Sequence, residues 1–230
     1  MSDYAGISNL EVMEEAVRYN DFLFGLIHSL LRPGDRVLDF GAGTGTFARR
    51  LQAAGAAPSC VEPDEQLRAR LQAAGLAAFP DTAMVGSASF DVVYSLNVLE
   101  HIADDGAALA DLRRVLRPGG RLLIYVPAFM LLYSSMDQRI GHLRRYRRGP
   151  LRQLALRSGL GVENIRYADS LGFLAALGFR LLGRRDGQLA LGAVRFYDRW
   201  LFPVSRALDL AVAGVIGKNL VLHAYRPQSR

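Results

Sequence analysis

A single cysteine, Cys60, in 230 residues leaves no partner for an internal disulfide and no thiol set for a multi-cysteine zinc site. It lies in an apolar stretch that reads as a strand, where a cysteine behaves as a small buried hydrophobe. Histidine is sparse too. Positions 28, 101, 142 and 223 offer no ligand pair at helical spacing, so no metal is expected. Lys218 is the only lysine, and arginine carries the rest of the positive charge. The start, Met1-Ser2-Asp3-Tyr4, has neither a basic nor an apolar leader region, so no secretory signal is read and the cytoplasm is the expected location. No uncharged run reaches the roughly 18 residues that span a bilayer.

What is present suits one globular domain over residues 1–230, because 50% hydrophobic residues suffice for a full core. Charge is distributed unevenly. Residues 1–138 hold 11 Arg against 17 Asp and Glu, a balance of −6. Residues 139–230 hold 17 Lys and Arg against 5 acids, a balance of +12. An anionic partner for the second part and a solvated basic face are both open readings.

Apolar periodicity predicts a helix over Leu10–Leu31, ended by Arg32-Pro33-Gly34-Asp35. Strands then alternate with helices: strands at Arg36–Phe40, Ala57–Val61, Leu76–Phe79, Phe90–Ser95 and Arg121–Val126, and helices at Thr46–Ala54, Glu65–Ala74 and Asp105–Leu116. That alternation implies βαβ units and a parallel sheet with helices on both faces. A further helix is expected over Leu151–Ser158, a sixth strand over Gly161–Tyr167 and a seventh over Asn219–Tyr225. The stretch between the last two, residues 168–218, is far longer than an ordinary connection. It reads as an inserted cap of two or three helices, broken at Gly183, Gly187 and Pro203.

The first strand runs into Asp39-Phe40-Gly41-Ala42-Gly43-Thr44-Gly45. A dinucleotide fingerprint is G-x-G-x-x-G; here glycine recurs at alternate positions and Thr46 follows Gly45. The glycines let a ligand approach bare backbone at a helix N-terminus. Asp39 adds negative charge where a pyrophosphate would sit, which suits a ligand with a cationic end. A purely structural strand-to-helix turn is the bland alternative. Glu62 stands 21 residues after Gly41, where an acid can accept hydrogen bonds from ribose hydroxyls; the alternative is an acid at a helix start.

The acid with G-x-G-x-G resembles the first motif of class I S-adenosylmethionine (SAM) dependent methyltransferases. Ser89-Phe90-Asp91 through Val98-Leu99-Glu100-His101-Ile102 resembles their fourth-strand motif, and Leu116-Arg117-Pro118-Gly119-Gly120 their later "LKPGG" motif. The resemblance covers about Tyr19 to Val126. It implies a Rossmann-like, seven-stranded, mostly parallel α/β sheet with an antiparallel last strand, carrying here a helical insertion between strands six and seven. It implies SAM as cofactor and S-adenosylhomocysteine as product. It places Asp39, Gly41, Ala42, Gly43 and Gly45 along the methionine moiety, Glu62 at the ribose, and Leu96 and Asn97 near the sulfonium. Tyr19, in Arg18-Tyr19-Asn20, resembles a cofactor-covering helix, and ordinary packing is its alternative. Many relatives carry a Gly-Asp pair after strand three that meets adenine. Asp81 is the nearest acid here, in a shifted register.

Methyl transfer needs a base only when the acceptor arrives protonated. His101, after strand four, could serve, or could belong to a structural helix start. Tyr133 to Arg148 resembles a "YSxxDxxxGHxRRY" segment of a subgroup of these enzymes, many of them associated with polyprenol or cell-surface glycan pathways. Tyr133 and His142 are its candidate catalytic residues, and Arg144, Arg145 and Tyr146 its candidate grips on an acceptor; a solvated basic loop is the alternative. The acceptor is expected to be a small molecule or lipid-linked, methylated at oxygen. The insertion, with its arginines, could cap the acceptor, pair two copies into a homodimer, or lie on anionic lipid. A non-catalytic nucleoside-binding module and an RNA or protein methyltransferase are the competing functions. No nucleic-acid partner is favoured, because no Asn/Asp-Pro-Pro-aromatic motif is present.

Overall fold

The computed structural model describes residues 12–182, 190–212 and 214–228. Seven strands form one sheet: β1 Val37–Phe40, β2 Ser59–Val61, β3 Ala77–Phe79, β4 Phe90–Leu96, β5 Leu116–Pro127, β6 Gly161–Ala168 and β7 Asn219–Tyr225. Their order is β3-β2-β1-β4-β5-β7-β6. β3, β2, β1, β4 and β5 run parallel, and β7 pairs antiparallel with both β5 and β6. The chain leaves β1 toward one edge and returns after β3 to the other side of β1. That reversal opens a crevice at the carboxyl ends of β1 and β4, where α/β sheets receive ligands.

Period-two alternation divides the strands between two faces. Leu122, Ile124 and Val126 of β5 join Leu109 and Leu112 of α4 (Asp105–Val115) and Leu151 of α6 (Arg148–Arg157). Leu123 and Tyr125 face the other way, onto Leu23 and Ile27 of α1 (Val17–His28) and Phe202 of α9 (Phe202–Val212). The remaining helices are α2 (Thr46–Ala53), α3 (Glu65–Ala73), α5 (Ser135–Arg139), α7 (Ser170–Leu182) and α8 (Leu191–Phe196).

Several boundaries depart from the sequence reading. The predicted first helix is interrupted: residues 12–14 are helical, Ala16 is non-helical at φ −84°, ψ 71°, and α1 begins at Val17; Leu10 lies outside the described residues. α6 starts at Arg148 and takes Gly149-Pro150 into its first turn, where proline's missing N–H costs nothing. β5 starts five residues early, since Leu116 already pairs with Phe90. Pro203 does not break the insertion. It sits in the first turn of α9, directly after a π-helical turn over Tyr197–Leu201. Gly183 and Gly187 lie outside the described residues.

The insertion is tied down by three aspartates. α1 has no side-chain cap of its own. Its Arg18 and Tyr19 amides donate instead to Asp198 of the π turn, at 3.0 and 2.8 Å. Asp209 of α9 accepts from the Asp169 and Ser170 amides, each at 2.9 Å. Asp169, held at φ 64°, accepts from the Gly172 amide and the Ser205 hydroxyl at 3.0 and 2.9 Å, and from the Tyr197 hydroxyl. All three carboxylates are buried. Each satisfies amides that a helix start leaves orphaned.

Replacing Asp198 with alanine strips both acceptors from the start of α1. Urea unfolding is expected to show a loss of about 2 kcal/mol, with a smaller loss for Asp198→Asn. An unchanged midpoint contradicts the cap.

Candidate functional site

The turn after β1 is shaped by steric demands. Gly41 and Gly45 sit at φ 81° and 79°, in the left-handed region. A Cβ on Gly41 would stand 2.3 Å from Val98 Cγ2, and one on Gly45 would stand 2.4 Å from Leu71 Cδ2. The Val61 carbonyl accepts from the Gly41 and Ala42 amides at 2.8 and 3.1 Å, pinning the turn to the end of β2. Gly43 donates its amide to Glu62 Oε2 at 2.7 Å, and the Asp64 amide donates to Oε1 at 2.9 Å. Burial raises the Glu62 carboxyl above its ordinary value, and these two amides oppose the rise. The bare backbone, the start of α2 and an acceptor-only carboxylate fit the methionine and ribose ends of a SAM molecule.

Asp39 lies beneath the turn, 4% exposed. Burial pushes its carboxyl up to about 7, against a 2.7 Å hydrogen bond donated by the Tyr94 hydroxyl that favours the charged form. At the mouth of the turn the Thr44 and Thr46 hydroxyls donate to Glu14 Oε1 at 2.8 and 3.0 Å. Residues just before α1 therefore reach across the glycine turn.

β4 ends on the same crevice. Leu96 and Asn97 are half-buried, and Asn97 has φ 55° with its amide donating to the Tyr125 carbonyl at 2.7 Å. Tyr19 is buried, and its hydroxyl donates to the Tyr125 hydroxyl at 3.2 Å. The Tyr19 ring meets Tyr125 and Phe202 edge-on, and Lys218 Nζ lies 5.7 Å from its centroid. The cation over that ring is thus one of the chain's own. Burial lowers the Lys218 ammonium, and nearby Asp169 opposes the lowering.

A second polar cluster follows β4. The 3-10 turn Leu99–His101 brings Glu100 and His101 against His142, which comes from the loop after α5. The Leu143 amide donates to the Glu100 carbonyl at 2.8 Å and joins the two segments. The His101 and His142 rings meet edge-on at 4.7 Å. Burial, then the neighbouring His142, lowers His101 to about 4, while a hydrogen bond to the Gly141 backbone acts the other way. His142 Nδ1 is 2.7 Å from Asp137 Oδ1, and its Nε2 is 3.6 Å from Glu100 Oε1. Burial alone would raise Asp137, but His142 and Arg145 hold its carboxyl well below the usual range. Burial pushes Glu100 up to about 8.

The structure brings Asp39, Gly41, Ala42, Gly43, Gly45 and Glu62 together at one end of the sheet, with Tyr19, Leu96 and Asn97 beside them. It joins His101 to His142. The other sequence candidates have internal partners. Tyr133 donates its hydroxyl to the His142 carbonyl at 2.7 Å. Arg145 grips Asp137 through Nε and Nη2 at 2.8 and 3.0 Å. Arg144 pairs with Asp105 at 2.9 Å, and the buried Tyr146 donates to Asp105 and the Leu99 carbonyl. Asp81 is exposed and caps the turn Thr82–Met84 through the Ala83 and Met84 amides. Sequence reasoning did not single out Glu14 or Lys218, the latter signalled only as the one lysine, and it met Asp137 as the fixed acid of the segment from Tyr133 to Arg148 without giving it a role.

Residues 13–165 match the model of a methyltransferase domain family. An uncharacterised methyltransferase of Mycolicibacterium gilvum is 29% identical over 81% of this chain and 74% of its own length. A ubiquinone biosynthesis O-methyltransferase of Parvibaculum lavamentivorans is 35% identical over 44% of each protein. The 27-O-demethylrifamycin SV methyltransferase of Amycolatopsis mediterranei is 35% identical over 49% of this chain and 45% of its own. The match thus spans under half the length of several curated relatives. Among solved structures, a Haemonchus contortus phosphoethanolamine N-methyltransferase in complex with SAM superposes with a TM-score of 0.62 at 19% identity, over 91% of this chain and 53% of that one. The [4+2]-cyclase SpnF superposes at 0.63 with 18% identity, over 91% and 82%. These two likenesses show the fold.

Because burial holds Asp39 near 7, its ionised form dominates only above that pH. A cationic ligand end beside it should bind more tightly as pH rises through about 7. Calorimetry with S-adenosylhomocysteine between roughly pH 6 and 8 should show this rise. Tyr94→Phe should move its midpoint upward and Asp39→Asn should abolish it; a flat profile in the unsubstituted protein contradicts the assignment.

Proposed function

We infer a reaction from the premise that the chain belongs to the methyltransferase-domain family. The reaction is SAM-dependent transfer of a methyl group to an oxygen of a small hydroxylated acceptor. Bound SAM supplies an electrophilic methyl carbon on sulfur. The protein's part is orientation and proton handling. Gly41 to Gly45 and Asp39 hold the methionine end, Glu62 accepts from the ribose, and Leu96, Asn97 and Tyr19 border the sulfur side. Asp81, held as a cap, is left the outer edge of the adenine site.

The observation that carries the oxygen assignment is His101. It is half-buried at the carboxyl end of β4, four residues beyond Asn97, and unprotonated at neutral pH. An uncharged imidazole there can accept the acceptor's hydroxyl proton. With SAM bound, the methyl carbon would pass to that oxygen's electron pair and the carbon–sulfur electrons would stay on sulfur. His142 and Tyr133 shape this end of the site, and Arg144, Arg145 and Tyr146 brace its floor. Two relatives named for O-methylation support the same chemistry.

A lipid-linked acceptor at a membrane surface fits the insertion. Leu174, Phe196, Trp200, Val204 and Leu210 stay exposed there, and the Arg199 guanidinium lies 5.4 Å from the Trp200 ring. No described helix is long and apolar enough to cross a membrane, so contact would be peripheral.

Labelled SAM offered with phenolic, sugar and polyprenol-linked hydroxyl acceptors, the last in anionic vesicles, tests this reading. Label should appear on oxygen, and His101→Ala should lower turnover by about 100-fold with S-adenosylhomocysteine affinity unchanged. Transfer only to amines, or full turnover without His101, contradicts it.

A further inference from the structure

The second polar cluster has the make-up of a metal site. One carboxylate and two imidazoles, from Glu100, His101 and His142, place their ligand atoms within 4.8 Å of one another. Glu100 is completely buried, yet neither of its carboxylate oxygens has a hydrogen-bond partner among the described residues. A carboxylate shut away from water without donors is costly unless something else neutralises it. His142 does not supply that donor, because its Nε2 stands 3.6 Å from Glu100 Oε1. Such a gap is too long for a hydrogen bond. It is close to the separation of about 3.4 Å between two ligands that each lie about 2.1 Å from a tetrahedral ion.

The surroundings orient the rings as ligands. Asp137 takes His142 Nδ1 at 2.7 Å, which directs Nε2 inward. Asp137 is itself fixed by Arg145 Nε and the Ser134 amide, both at 2.8 Å. His101 is held by its bond to the Gly141 backbone. A carboxylate behind a histidine is the usual means of fixing a metal-binding imidazole. Helical spacing could not reveal this set, because two ligands are adjacent in sequence and the third lies on another segment.

We propose that Glu100, His101 and His142 bind one divalent transition-metal ion of the zinc class. Two imidazoles disfavour magnesium and calcium, which prefer oxygen ligands. Three protein ligands leave a coordination position open. An ion there acidifies a hydroxyl bound beside it and takes over the proton-handling role from His101, whose remaining ring nitrogen would then hold the ion; this last consequence alone rests on the O-methylation reading.

Full-length protein stripped with a chelator and titrated with Zn2+ against a chromophoric competitor tests the site. One Zn2+ per chain is expected, at micromolar affinity or tighter. Co2+ should give visible absorption bands of a nitrogen- and oxygen-ligated ion. Glu100→Gln, His142→Gln and the half-exposed His101→Gln should each weaken Zn2+ by about tenfold or more, while S-adenosylhomocysteine binding, measured in parallel, reports an intact fold. Millimolar or absent Zn2+ binding by the unsubstituted protein overturns the proposal. So does unaltered affinity in all three variants. Zn2+ binding without methyl transfer would leave the site standing and remove the O-methylation reading.

Discussion

The rest of the site depends on the Asp198 carboxylate, which accepts from the first amides of a helix 180 residues earlier in the chain. α1 carries Tyr19, and Tyr19 closes one side of the crevice between β1 and β4. Without a partner, the start of α1 would expose unsatisfied amides beside a buried ring. The insertion supplies that partner and is itself fastened through Asp169 and Asp209 to the end of β6. One set of buried charge-assisted bonds therefore links the least regular part of the fold to α1, and Glu14, just upstream of α1, meets the glycine turn through Thr44 and Thr46.

The sheet was legible because its physics is local. Runs such as Phe90–Ser95 are buried on both faces, and the helices between the parallel strands are punctuated by Gly or Pro. The antiparallel β7 followed from the family resemblance. Errors fell where long-range contacts override local pattern. The periodicity of α1 continues upstream of Val17, where residues 12–14 are helical too, and the restart after Ala16 is capped by a distant aspartate. Pro203 reads as a breaker, but a π turn directly before it accommodates the missing donor.

The geometry of the glycine turn was equally legible, because its alternate glycines sit at positive φ and the acid some 20 residues on meets the turn. The acceptor end was not. Arg144, Arg145 and Tyr146 look like a ligand grip in one dimension, and in three they hold Asp137 and Asp105. The charge asymmetry gains a physical reading as well. Of the five acids in residues 139–230, Asp169, Asp198 and Asp209 are buried as caps, so few are left to offset arginine at the surface.

Amide hydrogen exchange with and without S-adenosylhomocysteine tests the linkage between cofactor turn and insertion most directly. Binding should slow exchange at Gly41–Thr46 and also at Arg18, Tyr19, Ser170 and Gly172, which share the aspartate caps. Protection confined to the glycine turn and Glu62 would contradict a roof held in place by those carboxylates.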